Sequence, residues 1–340
     1  MRLLVTGGAG FIGSNFVRLV HRERPGWEIR ILDKLTYAGR RENVADLEGE
    51  RVGFVQGDIC DPAAVESVME GCDCTVNFAA ETHVDRSIED PSDFVRTDME
   101  GVRVLLECFR RTGGAMFLQI STDEVYGSVE TGRSRETDPL APRSPYSASK
   151  AGGELLAMSY HHTWGVPVTV TRASNNYGPR QYPEKLIPLF VTNCLEGLPL
   201  PLYGDGQNRR DWMHVEDHCR ALLAVLERGR PGRIYNIGAG EEHTNLEVTE
   251  AILSLTGADP SLVRRVTDRP GHDRRYALDI SLARSELGWS PSTGFREGLG
   301  ATVEWYRSNR PWWEEIKSGR FAEYYARMYR ERLAGSAGAR

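Results

Sequence analysis

The sequence predicts an α/β fold, a doubly wound parallel sheet followed by a smaller mixed lobe at the C-terminal side, and three observations carry that prediction. Short apolar runs alternate with amphipathic stretches of helical length through the first half of the 340 residues, as in sheets whose crossovers are helices. A glycine-rich turn directly follows the first apolar run. Beyond residue 180 the alternation loosens into loops and helices. The predicted strands are 2–5, 29–32, 52–55, 75–78, 116–120 and 168–171, nearly continuous in apolar residues, as strands covered on both faces should be. Between them fall helices near 12–22, 62–70, 92–112 and 146–164. Gly178-Pro179-Arg180 opens the looser half, with helices near 184–196, 215–228, 245–256 and 296–309. The expected division is a body over 1–180 to which some later segments return, a lobe over 181–330, and a flexible tail over 331–340 that includes Gly335-Ser336-Ala337-Gly338-Ala339.

Composition narrows the function classes. Lys and Arg number 42 against 48 Asp and Glu, a net charge of −6, which disfavours nucleic acid as the main partner. Apolar residues at 40% and charged residues at 26% are ordinary globular usage. The N-terminus turns polar at Thr6, too early for a secretory h-region, and charge or glycine interrupts every apolar run, so a cytoplasmic protein is expected. Six cysteines at 60, 72, 74, 108, 194 and 219 form no C-x-x-C pair. They read as reduced and mostly buried, with Cys72 and Cys74 packing on a strand in preference to ligating a metal.

The turn after the first strand reads Thr6-Gly7-Gly8-Ala9-Gly10-Phe11-Ile12-Gly13, which holds G-x-G-x-x-G. Alone it is consistent with any glycine-rich turn. With a strand before it, a helix after it, and Asp33 closing the second strand 20 residues past Gly13, it becomes a Rossmann dinucleotide fingerprint. An acid at 33 accepts ribose hydroxyls and repels a 2′-phosphate, favouring NAD over NADP, although Lys34 adjoins it. Gly57-Asp58-Ile59 either brackets the adenine or is a solvated turn; spacing alone does not choose.

Tyr146-Ser147-Ala148-Ser149-Lys150 is Y-x-x-x-K, which puts phenol and ammonium on one helix face, where the cation favours the phenolate. Such spacing arises by accident on many helices, but after a dinucleotide fingerprint it suggests a general base for a hydroxyl losing hydride. The strand at 116–120 ends in Ser121-Thr122-Asp123-Glu124-Val125-Tyr126-Gly127, at the strand ends where open α/β sheets bind ligands. Ser121 or Thr122 can hydrogen-bond a reacting hydroxyl. Asp123 and Glu124 are either a charged turn or two acids driven to different protonation states, as an elimination requires.

These residues resemble an extended short-chain dehydrogenase/reductase of the NAD-dependent epimerase/dehydratase superfamily, and more closely the dTDP-glucose 4,6-dehydratase family. The likeness runs from Thr6 to about Trp305 through Ala79-Ala80-Glu81-Thr82-His83-Val84-Asp85-Arg86-Ser87-Ile88, Asn175-Asn176-Tyr177-Gly178-Pro179, Glu184-Lys185-Leu186-Ile187-Pro188, Arg210-Asp211-Trp212 and Arg269-Pro270-Gly271-His272-Asp273. A complete Thr-Asp-Glu is the dehydratase pattern; related 4-epimerases usually lack the acid pair. The resemblance implies that Tyr146, with Lys150 and Thr122, takes the C4 hydroxyl proton as hydride passes to NAD. Glu124 would then remove the C5 proton, Asp123 would protonate the departing C6 hydroxyl, and the hydride would return to C6.

The resemblance further implies cofactor contacts from Gly7, Gly10, Phe11, Ile12, Gly13, Asp33, Lys34, Thr36, Asp58, Ile59, Ala80, Thr97, Tyr146, Lys150 and Asn176. It implies substrate contacts from Thr82, Thr122, Asn175, Lys185, Tyr203, Arg210, Asn236 and His272, where Tyr203, Asn236 and His272 read equally well as packing. It implies no metal, and a homodimer built on helices 92–112 and 146–164. Competing readings are dehydration of UDP-glucose or a UDP-N-acetylhexosamine, a sugar-nucleotide 4-epimerase, and a non-catalytic NAD sensor. Trp312-Trp313 with Tyr324, Tyr325 and Tyr329 reads as an amphipathic segment packing on the body, in preference to an aromatic ligand platform.

Overall fold

The computed structural model describes residues 1–336. The first half runs β1 (Arg2–Thr6), α1 (Phe11–Glu23), β2 (Glu28–Asp33), β3 (Val52–Gln56), α2 (Pro62–Met69), β4 (Cys74–Asn77), α3 (Val84–Glu89) and α4 (Ser92–Val95). A π-helical turn (Arg96–Gly101), α5 (Val102–Thr112), β5 (Met116–Thr122), a 3-10 turn (Asp123–Tyr126), α6 (Pro145–Trp164) and β6 (Val168–Ala173) follow. The second half runs β7 (Asn175–Tyr177), α7 (Leu186–Glu196), β8 (Leu200–Tyr203), β9 (Arg209–His214), α8 (Val215–Arg228), β10 (Ile234–Ile237) and β11 (Glu242–Thr244). It ends with α9 (Asn245–Thr256), β12 (Val263–Val266), α10 (Ser281–Leu287), α11 (Phe295–Ser308), α12 (Arg310–Ser318) and α13 (Arg320–Ser336).

Seven parallel strands form the main sheet in the order β10-β6-β5-β4-β1-β2-β3. The order reverses between β1 and β4, which opens a crevice beyond their carboxyl ends. Leu3, Val5, Val76 and Leu118 pack on one face of the sheet, and Leu4, Phe117, Val168 and Val170 on the other, so helices cover both. A separate core around Tyr177, Phe190, Trp212, Leu299, Tyr306 and Trp313 holds the lobe together.

All six sequence-predicted strands and all eight predicted helices are present. Sequence periodicity missed β10, the edge strand of the main sheet, and β7, β8, β9, β11 and β12, strands of three to six residues that form two small sheets of three and two strands. β9 reads Arg-Arg-Asp-Trp-Met-His, and its charged residues 210 and 211 are buried, so apolar alternation could not reveal it. The helix expected at 92–112 is interrupted by the π-helical turn, where Asp98 meets α6 so closely that a Cβ at Gly153 would stand 2.2 Å from the Asp98 carbonyl oxygen. Of the tail expected over 331–340, residues up to Ser336 continue α13; residues 337–340 lie outside the described residues. Cys72 and Cys74 are buried, and among the described residues no helix is long and apolar enough to cross a membrane.

Candidate active site

The crevice at the switch point is lined by every residue that the sequence assigned to cofactor binding. Gly7 lies at φ 68°, and a Cβ there would stand 2.6 Å from the Ala79 nitrogen, so only glycine lets the turn close over β4. No side chain caps α1 at Gly10, so the N–H groups of its first turn open into the crevice beside Phe11 and Ile12, as an anionic pyrophosphate requires. Asp33 does more than line the crevice: its carboxylate accepts the N–H of Ala9 (2.9 Å) and of Leu35 (2.9 Å), clamping the glycine turn to the loop after β2. Burial pushes its pKa up, and those two N–H groups pull it down. The Lys34 ammonium is engaged by Asp58 at 2.9 Å. These donors and close backbone approaches fit a dinucleotide.

Strand β5 is buried along its whole length and delivers the catalytic candidates to the crevice. At its end the Thr122 hydroxyl accepts the Glu124 N–H (3.3 Å) and lies 3.1 Å from Asp123 Oδ1, to which it donates. Ser144 and Ser147 form a capping box that starts α6, with Pro145 at the first helical position, and this start fixes Tyr146 and Lys150 one turn apart. The buried Arg172 guanidinium on β6 bonds Glu154 and ties α6 to the sheet. The Lys150 ammonium donates to the Ile120 carbonyl at 2.8 Å.

Electrostatics separates these groups. Asp123 is held well above the usual carboxyl range by burial and by the neighbouring Glu124 charge, and its Oδ2 has no hydrogen-bond partner. Burial also raises Glu124, but Arg269, Lys185 and Arg210 pull it back toward the carboxylate. The Tyr146 phenol is raised by burial, by Glu124 and by Asp98, with the Thr122 hydroxyl acting in the opposite sense. Lys150 is lowered by burial, while Asp98 and Glu154 hold its proton on. The lowering of the phenol pKa by Lys150 that the sequence suggests is therefore outweighed in this structure.

A second cavity meets the crevice at Glu124, Asn175, Asn176, Gln181, Glu184 and Lys185. It contains Tyr203, Arg210 and His272 as expected, while Thr82 and Thr122 face the crevice and Asn175 and Lys185 face both. The Lys185 ammonium donates to the Thr82 carbonyl, and Arg210 lies over the Tyr276 ring at 4.4 Å. Asn236 is a correction. It sits fully buried in β10, where Tyr126 donates to its Oδ1 (2.9 Å) and its Nδ2 donates to the Ser134 carbonyl (2.9 Å); it lines neither cavity.

The second cavity holds, besides Asn175 and Asn176, an asparagine that sequence reasoning did not assign, Asn245 at the start of α9. Its place just after the Thr244 capping box, at a strand-to-helix junction, is the signal that could have found it. Sequence reasoning also passed over Arg269, whose buried Nε has no partner, and His218, whose Nδ1 lies 3.0 Å from Asn176 Oδ1 and orients that amide. It missed Asp98 too, which accepts from Ser149 (2.7 Å) and from the Glu81 N–H (3.0 Å) beneath Lys150.

A dinucleotide crevice that shares its floor with a Tyr-x-x-x-Lys helix and opens into a second, cation-rich cavity defines the extended short-chain dehydrogenase/reductase class. The family model described as GDP-mannose 4,6 dehydratase matches residues 4–302. The chain is 56% identical over 325 residues to a dTDP-glucose 4,6-dehydratase of Streptomyces niveus, covering 94% of this chain and 96% of that one. The solved structure of DesIV, a dTDP-glucose 4,6-dehydratase from Streptomyces venezuelae with NAD bound, is 53% identical with a TM-score of 0.91, covering 93% of this chain and 100% of that one. A UDP-glucose 4-epimerase of Thermus thermophilus complexed with NAD is more distant, at 36% identity and a TM-score of 0.84 over 91% of this chain and 100% of that one. The chain belongs to the dTDP-glucose 4,6-dehydratase family of the NAD-dependent epimerase/dehydratase superfamily.

Proposed function

We propose that the protein is an NAD-dependent lyase that converts dTDP-glucose to dTDP-4-keto-6-deoxyglucose and water. Gly7, Gly10, Phe11, Ile12, Gly13, Asp33, Lys34, Thr36, Asp58, Ile59, Ala80, Thr97 and Asn176 hold the cofactor, together with Tyr146 and Lys150. When bound, NAD accepts hydride from the sugar C4 and returns it at C6. Tyr146, hydrogen-bonded with Thr122 and next to Lys150, is the base for the C4 hydroxyl proton and acts as the phenolate, so the proton that burial favours on the phenol must leave before the hydroxyl proton is taken. The ketone at C4 acidifies C5, Glu124 removes the C5 proton, and Asp123 supplies the proton with which the C6 hydroxyl leaves as water. Arg210 and Lys185 grip the diphosphate, Thr82, Asn175 and His272 contact the sugar diphosphate, and Tyr203 lies against the nucleoside.

One observation carries this reading: two adjacent carboxyls, both raised by burial, sit in unequal surroundings, Asp123 pushed well up with the Glu124 charge beside it and Glu124 pulled back by the cations Arg269, Lys185 and Arg210. The elimination across C5 and C6 needs an acid and a base in addition to the one that serves the C4 hydroxyl, and a 4-epimerisation needs only the latter. The body over 1–180 with strand β10, the lobe over 181–330, a homodimer through α5 and α6, and a cytoplasmic location complete the proposal. Dehydrating dTDP-glucose deuterated at C4 tests it. Deuterium at C6 of a product lighter by one water is expected; recovery of a C4 epimer refutes it. A panel of UDP-glucose and UDP-N-acetylhexosamines assayed for water loss checks the base and sugar.

A further inference from the structure

The loop after β2, residues 34–40, is fixed at both ends to the glycine turn. At its start Asp33 accepts the N–H groups of Ala9 and Leu35, each at 2.9 Å. At its end the Arg40 N–H donates to the Ala9 carbonyl at 3.1 Å, where Asn43 Nδ2 also donates at 2.9 Å. Between the ends Leu35 holds φ 56°, a left-handed conformation that a bulky side chain keeps only where its surroundings enforce it.

The crest of the loop is held by other elements. Lys34, Thr36, Ala38 and Gly39 line the cofactor crevice, whereas Tyr37 does not. Its ring meets Tyr182 edge-on at 5.4 Å and has the Arg86 guanidinium 4.0 Å from its centre. The Tyr37 hydroxyl donates to the Glu184 carboxylate, which also accepts from Arg86 Nε at 3.1 Å. Tyr182 and Glu184 precede α7 and line the crevice from the second half of the chain. Arg86, on α3, is packed between the Tyr37 ring and the Tyr324 ring, 4.0 Å from the centre of each. With only 1% of the Glu184 side chain exposed, stripping that carboxylate of its partners is costly.

The reaction touches none of these side chains, yet it needs the cofactor to stay. The hydride taken from C4 is the one returned at C6, so the reduced dinucleotide must outlast the loss of water. We propose that residues 34–40 form a strap over the adenosine end of the cofactor, and that Tyr37, latched by Arg86, Tyr182 and Glu184, is the positioning residue that holds it shut. The inference rests on the cofactor in the reading above and is independent of the sugar and the base.

The test follows release of bound NAD from diluted holoenzyme, with an added NAD-consuming dehydrogenase as trap. Tyr37→Ala is expected to release NAD about tenfold faster, having lost a ring pair, a cation–π contact and a hydrogen bond to a charged carboxylate. Tyr37→Phe keeps the ring against Arg86 and Tyr182 and should fall between that variant and wild type. With saturating NAD the kcat of Tyr37→Ala should return to near the wild-type value, whereas without added NAD its turnover should decay on dilution while wild type holds. A double variant, Arg86→Met with Glu184→Gln, leaves the loop untouched, removes the latch without stranding a buried charge, and should also speed release. Equal release from wild type, Tyr37→Ala and the double variant overturns the strap alone. So does a kcat that saturating NAD fails to restore, together with a lowered melting temperature, which marks Tyr37 as ordinary packing. Wild type that neither carries nor binds NAD refutes the cofactor reading itself, and the strap falls with it.

Discussion

Replacing Asp123 with Asn separates the chemical steps. The side chain is 3% exposed, and burial and Glu124 hold its carboxyl protonated where a free Asp would be charged. Asn therefore keeps its shape and neutrality but lacks the transferable proton. Reduction of NAD by bound dTDP-glucose, followed by near-ultraviolet absorbance in a single turnover, is expected to survive. Release of water, followed by the mass of the product, should slow by roughly 10²–10⁴-fold, the usual worth of a general acid. Stability supplies an independent check. A carboxyl whose folded pKa is raised binds its proton longer in the native state, so it costs stability as pH climbs from the unfolded value through the folded one. That cost grows by about 1.4 kcal/mol for each pH unit in the window, and Asn removes it. Urea unfolding should show Asp123→Asn equal to wild type at low pH and increasingly more stable toward neutral. Loss of NAD reduction as complete as in Tyr146→Phe, or a stability gap that narrows as pH rises, refutes the reasoning.

Three further substitutions probe the supports of the site. Asp98 is pushed up to about 6 by burial, so by the same sign Asp98→Asn should gain up to about 3 kcal/mol at pH 7 and nothing below pH about 4; because Asp98 also helps keep Lys150 charged, its kcat should fall, which paired urea titrations and turnover assays check. Arg172→Met leaves Glu154 buried without its cation and should cost about 3–5 kcal/mol in urea unfolding, with much of the loss recovered in a double variant that also carries Glu154→Gln. Gly153→Ala drives a methyl to 2.2 Å from the Asp98 carbonyl oxygen, so α6 must shift; a loss of about 1–3 kcal/mol and a fall in kcat larger than the change in NAD affinity are expected from melting and kinetics.

The body was legible because its signals are local. β1, the glycine turn and α1 lie within 23 residues, and β1, β4, β5 and β6 are buried almost throughout, so each appears as an apolar run, whereas β3 at the sheet edge fully buries only Val52. Tyr146 and Lys150 were found for the same reason, one turn apart on one helix. The lobe was harder to read. Its strands are short, and β9 buries Arg210 and Asp211 against partners far along the chain, as when Arg210 donates to the Asp273 carbonyl at 2.8 Å. Asn236 and Asn245 show the limit most plainly. Both are asparagines near strand ends of the second half, and only the fold reveals that Tyr126 and Ser134 satisfy the first while the second faces a cavity.

The acid pair illustrates why motif and site are different things. Asp123 and Glu124 are neighbours on one turn with the same chemistry, and nothing in the sequence assigns their roles, although the fold buries Asp123 and leaves Glu124 partly exposed. Their difference comes from elsewhere: Glu124 feels Arg269, Lys185 and Arg210 from the lobe, while Asp123 feels Glu124 itself and, of those cations, Arg210, with Asp211 on β9 working against it. The lobe therefore supplies more than substrate contacts, because its cations decide which carboxyl is the base. In a chain of net charge −6 those cations are a local concentration set by folding. A variant that loosened the lobe without touching β5 would leave both acids in place and still erase the distinction between them, so the chemistry of this turn belongs to the whole fold.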